Sequence, residues 1–281
     1  MIIPKLPKRP KDANKGTFGK VLIVAGSKNF PGAAYLCCAA AYRVGVGLTT
    51  LATTKPVYQV IGRKIPEVTF ISLDSNDQFS TEELEKALPE YDCLLIGPGL
   101  GISQNSIKLV KEILRLKNLP KIVIDGDGLN ILSQETEWWD KISFNAVLTP
   151  HPKEFSRLTN LSVEKIQSSR EELVKEYSKK WKQTIVLKGA NTIIVSDDQI
   201  AIAPFANPLL STAGTGDVLS GMIAGFVAQG LNRFDASCSG VFVHGQTAEN
   251  LKNKFGDSGM MASDLLEELP QTIKTLKKQL D

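Results

Sequence analysis

The chain has few cysteines, no long apolar run, no repeat and little net charge. Its four cysteines, Cys37, Cys38, Cys93 and Cys238, show neither metal-ligand spacing nor a small disulfide framework. All lie in apolar surroundings, which predicts reduced, buried thiols. No apolar run approaches the ~18 residues of a membrane span. The start of the chain is rich in proline and lysine (Pro4, Lys5, Pro7, Lys8, Arg9, Pro10, Lys11) and lacks the apolar core of a signal peptide. A cytoplasmic location is therefore expected. A net charge of +3 is too small to imply a nucleic-acid partner. With no linker, internal repeat or low-complexity segment, the expectation is one domain over residues 1–281, with residues 1–14 as an N-terminal extension. A length of 281 residues lies near the size where single cores stop growing, but α/β folds of that length are routinely one domain.

What is there is alternation. Apolar, β-branched runs at Val21–Ala25, Leu48–Ala52, Val68–Leu73, Asp92–Ile96, Lys121–Asp125, Ala146–Leu148 and Thr184–Lys188 read as strands, followed by two more at Thr192–Val195 and Gln199–Ile202. Helical segments are expected at Gly32–Arg43, Thr81–Leu88, Ser103–Lys117, Val163–Trp181, Gly214–Gln229 and Asp235–Lys252, with a last helix opened by Ser263 as cap. The charges of Val163–Trp181 read as a solvated face. Runs apolar on both faces predict a mostly parallel sheet covered by helices on both sides, with ligand loops at the C-terminal strand ends. Trp138 and Trp139 carry no spacing that implies chemistry and are expected to pack against the body or a subunit partner. His244, amid Val241, Phe242 and Val243, reads as a core histidine.

Four loops follow such runs and have ligand-binding character: Gly97-Pro98-Gly99-Leu100-Gly101, Thr149-Pro150-His151-Pro152-Lys153-Glu154, Lys188-Gly189-Ala190-Asn191-Thr192 and Thr212-Ala213-Gly214-Thr215-Gly216-Asp217. The last feeds an apolar helix. Its glycines let backbone amides approach a ligand, and the first helical turn adds unpaired N–H groups and the positive dipole end, which together form an anion site at Gly214, Thr215 and Gly216. Asp217 would repel a phosphate there, so its presence asks for a reason, and a base aimed at a substrate hydroxyl supplies one. On the hexapeptide alone, Thr215 or Asp217 as a plain helix cap remains an equal reading. His151 and Glu154, three apart, share a helical face or form a capping pair. Asp125 has a functional reading, whereas Asp127 reads as a cap. The small residues from Gly32 to Ala34 permit close approach of either a ligand or a neighbouring helix.

Together with Lys15-Gly16-Thr17-Phe18-Gly19, Gly32-Ala33-Ala34 and Asp125–Asn130, these loops resemble in family order the ADP/ATP-dependent NAD(P)H-hydrate dehydratases, a metabolite-repair branch of the ribokinase-like superfamily. The resemblance implies a single-domain ribokinase-like α/β sandwich, Mg2+ as cofactor, and ADP or ATP as co-substrate. The expected reaction restores NADH or NADPH from its S hydrate by phosphorylating the hydrate hydroxyl and eliminating phosphate. It places Ala34, Gly101, His151 and Asp217 at the hydrated dinucleotide, with Asp217 catalytic. It places Lys188, Gly189, Ala190, Asn191, Thr192 and Gly216 at the nucleotide. Asp125 and Glu154 are expected as acids behind the metal's own ligands, which the sequence leaves unknown. A homotetramer and an epimerase on a separate polypeptide are also implied. A ribokinase-like kinase for a vitamin alcohol or sugar is the alternative, since it would use the anion hole and Asp217 identically. A nucleotide-binding module without catalysis would not need Asp217.

Overall fold

The computed structural model describes residues 4–75, 78–79, 82–142 and 145–280. The chain runs β1 (Lys20–Val24), α1 (Pro31–Arg43), β2 (Leu48–Thr53), α2 (Lys55–Lys64), β3 (Thr69–Ser72), β4 (Asp74–Ser75), β5 (Gln78–Phe79), α3 (Glu82–Ala87), β6 (Cys93–Ile96) and α4 (Gln104–Leu114). It continues through β7 (Lys121–Ile124), α5 (Asp127–Leu132), α6 (Trp138–Lys141), β8 (Ala146–Leu148), α7 (Pro152–Thr159), α8 (Val163–Ser168), α9 (Arg170–Trp181) and β9 (Thr184–Leu187). It ends with β10 (Ile193–Ser196), β11 (Gln199–Ile202), α10 (Thr215–Ala228), α11 (Arg233–Phe255) and α12 (Ala262–Leu280).

Nine strands form one sheet in the order β11-β10-β9-β8-β7-β6-β1-β2-β3. Every pairing from β3 to β9 is parallel, and only the β9–β10–β11 edge is antiparallel. Side chains alternate across the pleat. Val21, Ile23, Leu51, Leu95, Val123 and Val147 face α1, α2, α10, α11 and α12. Leu22, Val24, Leu94, Ile96, Ile124 and Leu148 face the layer built from α3 to α9. The three layers are the expected sandwich.

Strand order reverses between β1 and β6, and at such a switch point the loops after the two strands diverge to leave a crevice. Here the loops are tied together at their roots, Gly26 N–H to Pro98 O at 2.8 Å and Gly97 N–H to Val24 O at 3.1 Å. Helix α10 lies over the sheet against α1. A Cβ on Gly221 would stand 2.4 Å from the Cys37 carbonyl oxygen, so glycine is what lets the two backbones approach.

Several expectations need adjusting. Helix α2 falls in a stretch the sequence reading leaves unassigned; Val57 and Ile61, one turn apart, are its buried residues. The helix expected from Thr81 starts at Glu82 among the described residues, and Thr81 lies outside them. The Val163–Trp181 helix is two helices, broken at Ser169, which has φ −139° and ψ 38°. Ser263 does not cap the last helix but lies inside its first turn, where the Asp264 carboxylate accepts from Met261 N–H at 2.7 Å. The four cysteines are free and buried. Trp138 packs into the body, its ring 5.0 Å from that of Trp181. In the N-terminal extension, Lys5 exchanges backbone hydrogen bonds with the Ser239 hydroxyl and pairs with Asp235 at 2.7 Å, both on α11. Among the described residues no helix is long and apolar enough to cross a membrane.

Candidate functional site

The loops after β7, β8 and β9 meet the start of α10 around a cleft of about 930 Å³. His151, Lys188, Gly189, Ala190, Thr192, Gly214, Thr215, Gly216 and Asp217 all line it, together with Asp125, Glu154 and His244. Residues more than ninety positions apart are thus brought together because each stands at the C-terminal edge of one parallel sheet. Ala34, Gly101 and Asn191 do not line this cleft. Ala34 is fully buried on α1, and Gly101 sits in the loop after β6, where its N–H donates to Asp127 Oδ2 at 2.7 Å. Asn191 turns away, its side-chain amide donating to the Ala203 carbonyl at 3.1 Å.

Helix α10 opens on Gly214, whose φ of +90° is a conformation other residues adopt only with strain. Thr215 is pinned by its hydroxyl, which bonds the carbonyls of Leu210 at 2.8 Å and Thr212 at 2.9 Å, and by its N–H to Thr212 O at 3.3 Å. The next two amides, of Gly216 and Asp217, have no protein acceptor among the described residues. Two unpaired N–H groups at the positive end of a 14-residue helix are what an anion needs. Gly216 itself is helical, so strain is not why glycine stands there. A Cβ would lie 3.3 Å from Lys188 Nζ, so glycine keeps room for the ammonium.

Lys188 Nζ is 2.7 Å from Asp125 Oδ1 and 3.9 Å from Glu154 Oε2. Asp125 is 2% exposed and Glu154 5%, so neither carboxylate has much water to rely on. Burial alone would lower the lysine's pKa, but the two carboxylates outweigh it and hold Lys188 above its ordinary value. Burial pushes Glu154 up to about 7, with Lys188 opposing and Asp125 adding. Asp217 is likewise raised to about 7, by burial first and then by the Asp125 charge, against the pull of Lys188. A carboxyl that titrates near neutrality beside unpaired amides can accept a proton from a hydroxyl while the amides hold an anion.

His151 does two things at once. Its Nδ1 accepts the N–H groups of Lys153 at 3.1 Å and Glu154 at 3.2 Å, while Glu154 Oε2 accepts His151 N–H at 2.8 Å, a complete capping box for α7. An acceptor Nδ1 means the ring proton is on Nε2, and burial with the nearby Lys188 holds the imidazole below its usual pKa. The side chain remains 44% exposed at the cleft wall, with Nε2 3.5 Å from Glu154 Oε1.

Three residues matter here that the sequence reading set aside. Arg170 is not on a solvated face: its guanidinium donates to the carbonyls of Ala190 at 2.6 Å, Leu187 at 3.3 Å and Lys188 at 3.4 Å, bracing the whole Lys188 loop from beneath. The break at Ser169 is what directs it there, a signal that helical spacing alone hides. Asp127 fastens the Gly101 loop, and its other oxygen receives Asn130, which in turn accepts from Arg157 on α7. His244 is buried as expected, yet it borders the cleft and bonds Thr215.

The sequence model of the NAD(P)H-hydrate dehydratase family matches residues 21–271. The chain belongs to this family. It is 37% identical over 99% of its length to a bifunctional NAD(P)H-hydrate repair enzyme of Moorella thermoacetica, of which it covers 53%. It is 33% identical over 92% of its length to the ADP-dependent (S)-NAD(P)H-hydrate dehydratase of Neisseria meningitidis, covering 86% of that protein. The chain spans about half the length of several curated relatives it matches. Among solved structures, the ADP/ATP-dependent NAD(P)H-hydrate dehydratase of Bacillus subtilis, crystallised with ATP and Mg2+, superposes with a TM-score of 0.83 at 30% identity, covering 96% of this chain and 94% of the other. A hydroxyethylthiazole kinase of Pyrococcus horikoshii, at 15% identity and TM-score 0.66, shares the fold alone. The fold is ribokinase-like.

Proposed function

We propose that the protein dehydrates the S hydrates of NADH and NADPH at the expense of ADP or ATP. The observation that carries this reading is the meeting, in one cleft, of Asp217 with a pKa of about 7 and the unpaired amides of Gly216 and Asp217. Family membership supplies the substrate. The hydrate hydroxyl gives its proton to Asp217 as its oxygen attacks the terminal phosphorus; the bond to the nucleotide breaks, and AMP leaves from ADP, or ADP from ATP. The amides at the start of α10 and Lys188 take up charge on the transferring group. The ring nitrogen then pushes its lone pair toward the carbon, the C–O bond breaks with its electrons going to phosphate, and loss of a neighbouring ring proton restores the double bond.

The relatives' nucleotide dependence and the Mg2+ of the Bacillus subtilis crystals support both in this reading. No group of three or more His, Cys, Asp or Glu side chains among the described residues forms a metal cage. Asp125 and Asp217 bring carboxylate oxygens to the cleft, which fits a magnesium ion held mainly by phosphates and waters. Bound there, it would offset charge on the phosphates, with Asp125 and Glu154 as the acids around its waters. The same reading puts His151 at the hydrated dinucleotide, with Ala34 and Gly101 at the switch-point crevice beside it, and Lys188–Thr192 with Gly216 at the nucleotide. It includes a homotetramer, a cytoplasmic setting and an epimerase that supplies the S epimer.

The test is to mix the protein with hydrated NADPH, magnesium and ADP or ATP. Return of near-ultraviolet absorbance with release of free phosphate supports the dehydratase. A stable phosphorylated product without that absorbance would instead mark a kinase.

A further inference from the structure

His244 lies on α11, is 7% exposed and borders the cleft without carrying any role in the scheme above. Its Nε2 stands 3.0 Å from the carbonyl oxygen of Thr215. A carbonyl oxygen can only accept, so Nε2 carries the proton and the imidazole donates. The Thr215 carbonyl and the Gly216 N–H belong to one planar trans peptide, in which the two groups point in opposite directions. A donor fixed behind the carbonyl therefore aims the Gly216 N–H forward. That N–H is one of the two at the start of α10 without a protein acceptor among the described residues. A hydrogen bond to the carbonyl also polarises the amide and makes its N–H a stronger donor, the usual cooperativity along a chain of hydrogen bonds.

We infer that His244 is a positioning residue for nucleotide binding, holding the Thr215–Gly216 peptide so that the Gly216 amide is presented to a phosphate oxygen. This deepens the proposed function and rests on its assignment of α10's first turn to the nucleotide phosphate. The surroundings fix the imidazole in this duty. A Cβ on the next residue, Gly245, would stand 2.2 Å from Phe205 Cδ2, so the turn of α11 that bears His244 is clamped against the cleft wall. Thr215 is held from its other side by its hydroxyl bonds to Leu210 and Thr212, so the peptide is gripped at both faces. Burial pushes the imidazole down to about 4, with the Thr215 bond opposing and Lys188 adding, so it donates as a neutral group and brings no charge to the phosphate site. Lys188 is left as the charged partner of the anion, and the histidine serves only as an oriented dipole.

The test compares His244→Leu with His244→Gln, whose side-chain amide can place an N–H donor close to where Nε2 stands. Three quantities are read on each variant: melting temperature, ADP affinity by calorimetry, and the Gly216 amide resonance in 15N-glycine-labelled protein, assigned by its disappearance in Gly216→Ala. The leucine variant should bind ADP about tenfold more weakly, the effect of one hydrogen bond removed, and shift the Gly216 amide proton upfield even without ligand. Glutamine should restore both toward wild type, although both substitutions disturb the same packing. A leucine variant that is folded, with ADP affinity unchanged or the Gly216 resonance unmoved, overturns the inference. So does a glutamine variant that keeps the donor but rescues neither quantity. Should the wild-type protein fail to bind ADP at all, the nucleotide reading falls and takes the inference with it, an outcome visible before any variant is made.

Discussion

Asp217→Asn separates what the fold wants at this position from what the chemistry wants. The carboxyl is raised from 3.8 to about 7 on folding, chiefly by burial and by the Asp125 charge. A raised carboxyl contributes stability that is fully present below its unfolded pKa and is lost as pH rises through the folded one. At about 1.36 kcal/mol per pH unit, the cost of keeping Asp217 ionised in the fold reaches at most about 4 kcal/mol above neutrality. Water in the open cleft screens part of this, leaving roughly 1–3 kcal/mol. Asparagine keeps the shape and carries no charge, so the variant should be more stable than wild type. The gain should grow from about pH 4 to about pH 7 and stay level above, reaching several degrees of melting temperature at about 2–4 °C per kcal/mol for a chain of this size.

Turnover should move the other way. Asparagine cannot accept the hydroxyl proton, and loss of a positioned base costs on the order of 10²–10⁴-fold. In the wild type, the same ionisation should show as an acid limb near pH 7 in kcat/KM, activity falling as Asp217 protonates. The assay is the recovery of near-ultraviolet absorbance from hydrated NADPH, run across pH beside thermal melts of both proteins, with ADP affinity as a check that binding survives. A variant that retains most of the wild-type rate removes Asp217 from the mechanism. One that is no more stable at pH 8 than wild type refutes the burial argument.

Two further substitutions probe the rim of the cleft. Gly216→Val should weaken ADP binding by roughly tenfold, about 1.4 kcal/mol, because its Cβ arrives 3.3 Å from Lys188 Nζ and displaces the ammonium; unchanged affinity by calorimetry in a folded variant would remove the residue from the nucleotide site. His151→Ala should lower stability by roughly 0.5–2 kcal/mol through loss of the α7 cap, and should also raise KM for the hydrate while leaving that for ADP little changed. A melt that drops with both constants unaltered would leave His151 a cap and nothing more.

The fold was legible because parallel strands buried on both faces leave little choice of residue. Val21–Ala25, Cys93–Ile96, Ile122–Ile124 and Ile185–Leu187 are apolar throughout, and each expected strand is found within a residue or so of its limits. What escaped was carried by geometry between segments. Nothing near Arg170 says that a broken helix will turn its guanidinium under the Lys188 loop, because the break at Ser169 interrupts an otherwise continuous helical pattern. Asp127 reads as a cap until the loop after β6 is placed beside it. His244 reads as buried from its apolar neighbours, but its partner is a carbonyl twenty-nine residues away, and no spacing encodes that. The sequence suggests a backbone reason for Gly216, whereas its constraint is a lysine delivered from another strand.

The charge balance of the cleft gives a physical reason for the nucleotide to arrive with a cation of its own. Lys188 is the one lysine or arginine among the described residues that line the cleft, and its charge is already matched by Asp125. Asp217 and Glu154, both near 7, are therefore poised between charged and neutral states. A phosphate added without countercharge would raise both further, protonate Asp217 at working pH and silence it as a base. The α10 amides offset part of that charge, but a helix start amounts to only about half a unit charge. A divalent ion accompanying the phosphates would restore the balance and return Asp217 toward its value in the free protein. The acid limb of the pH profile should therefore stand at higher pH when the divalent ion is scarce, while the alkaline side stays in place.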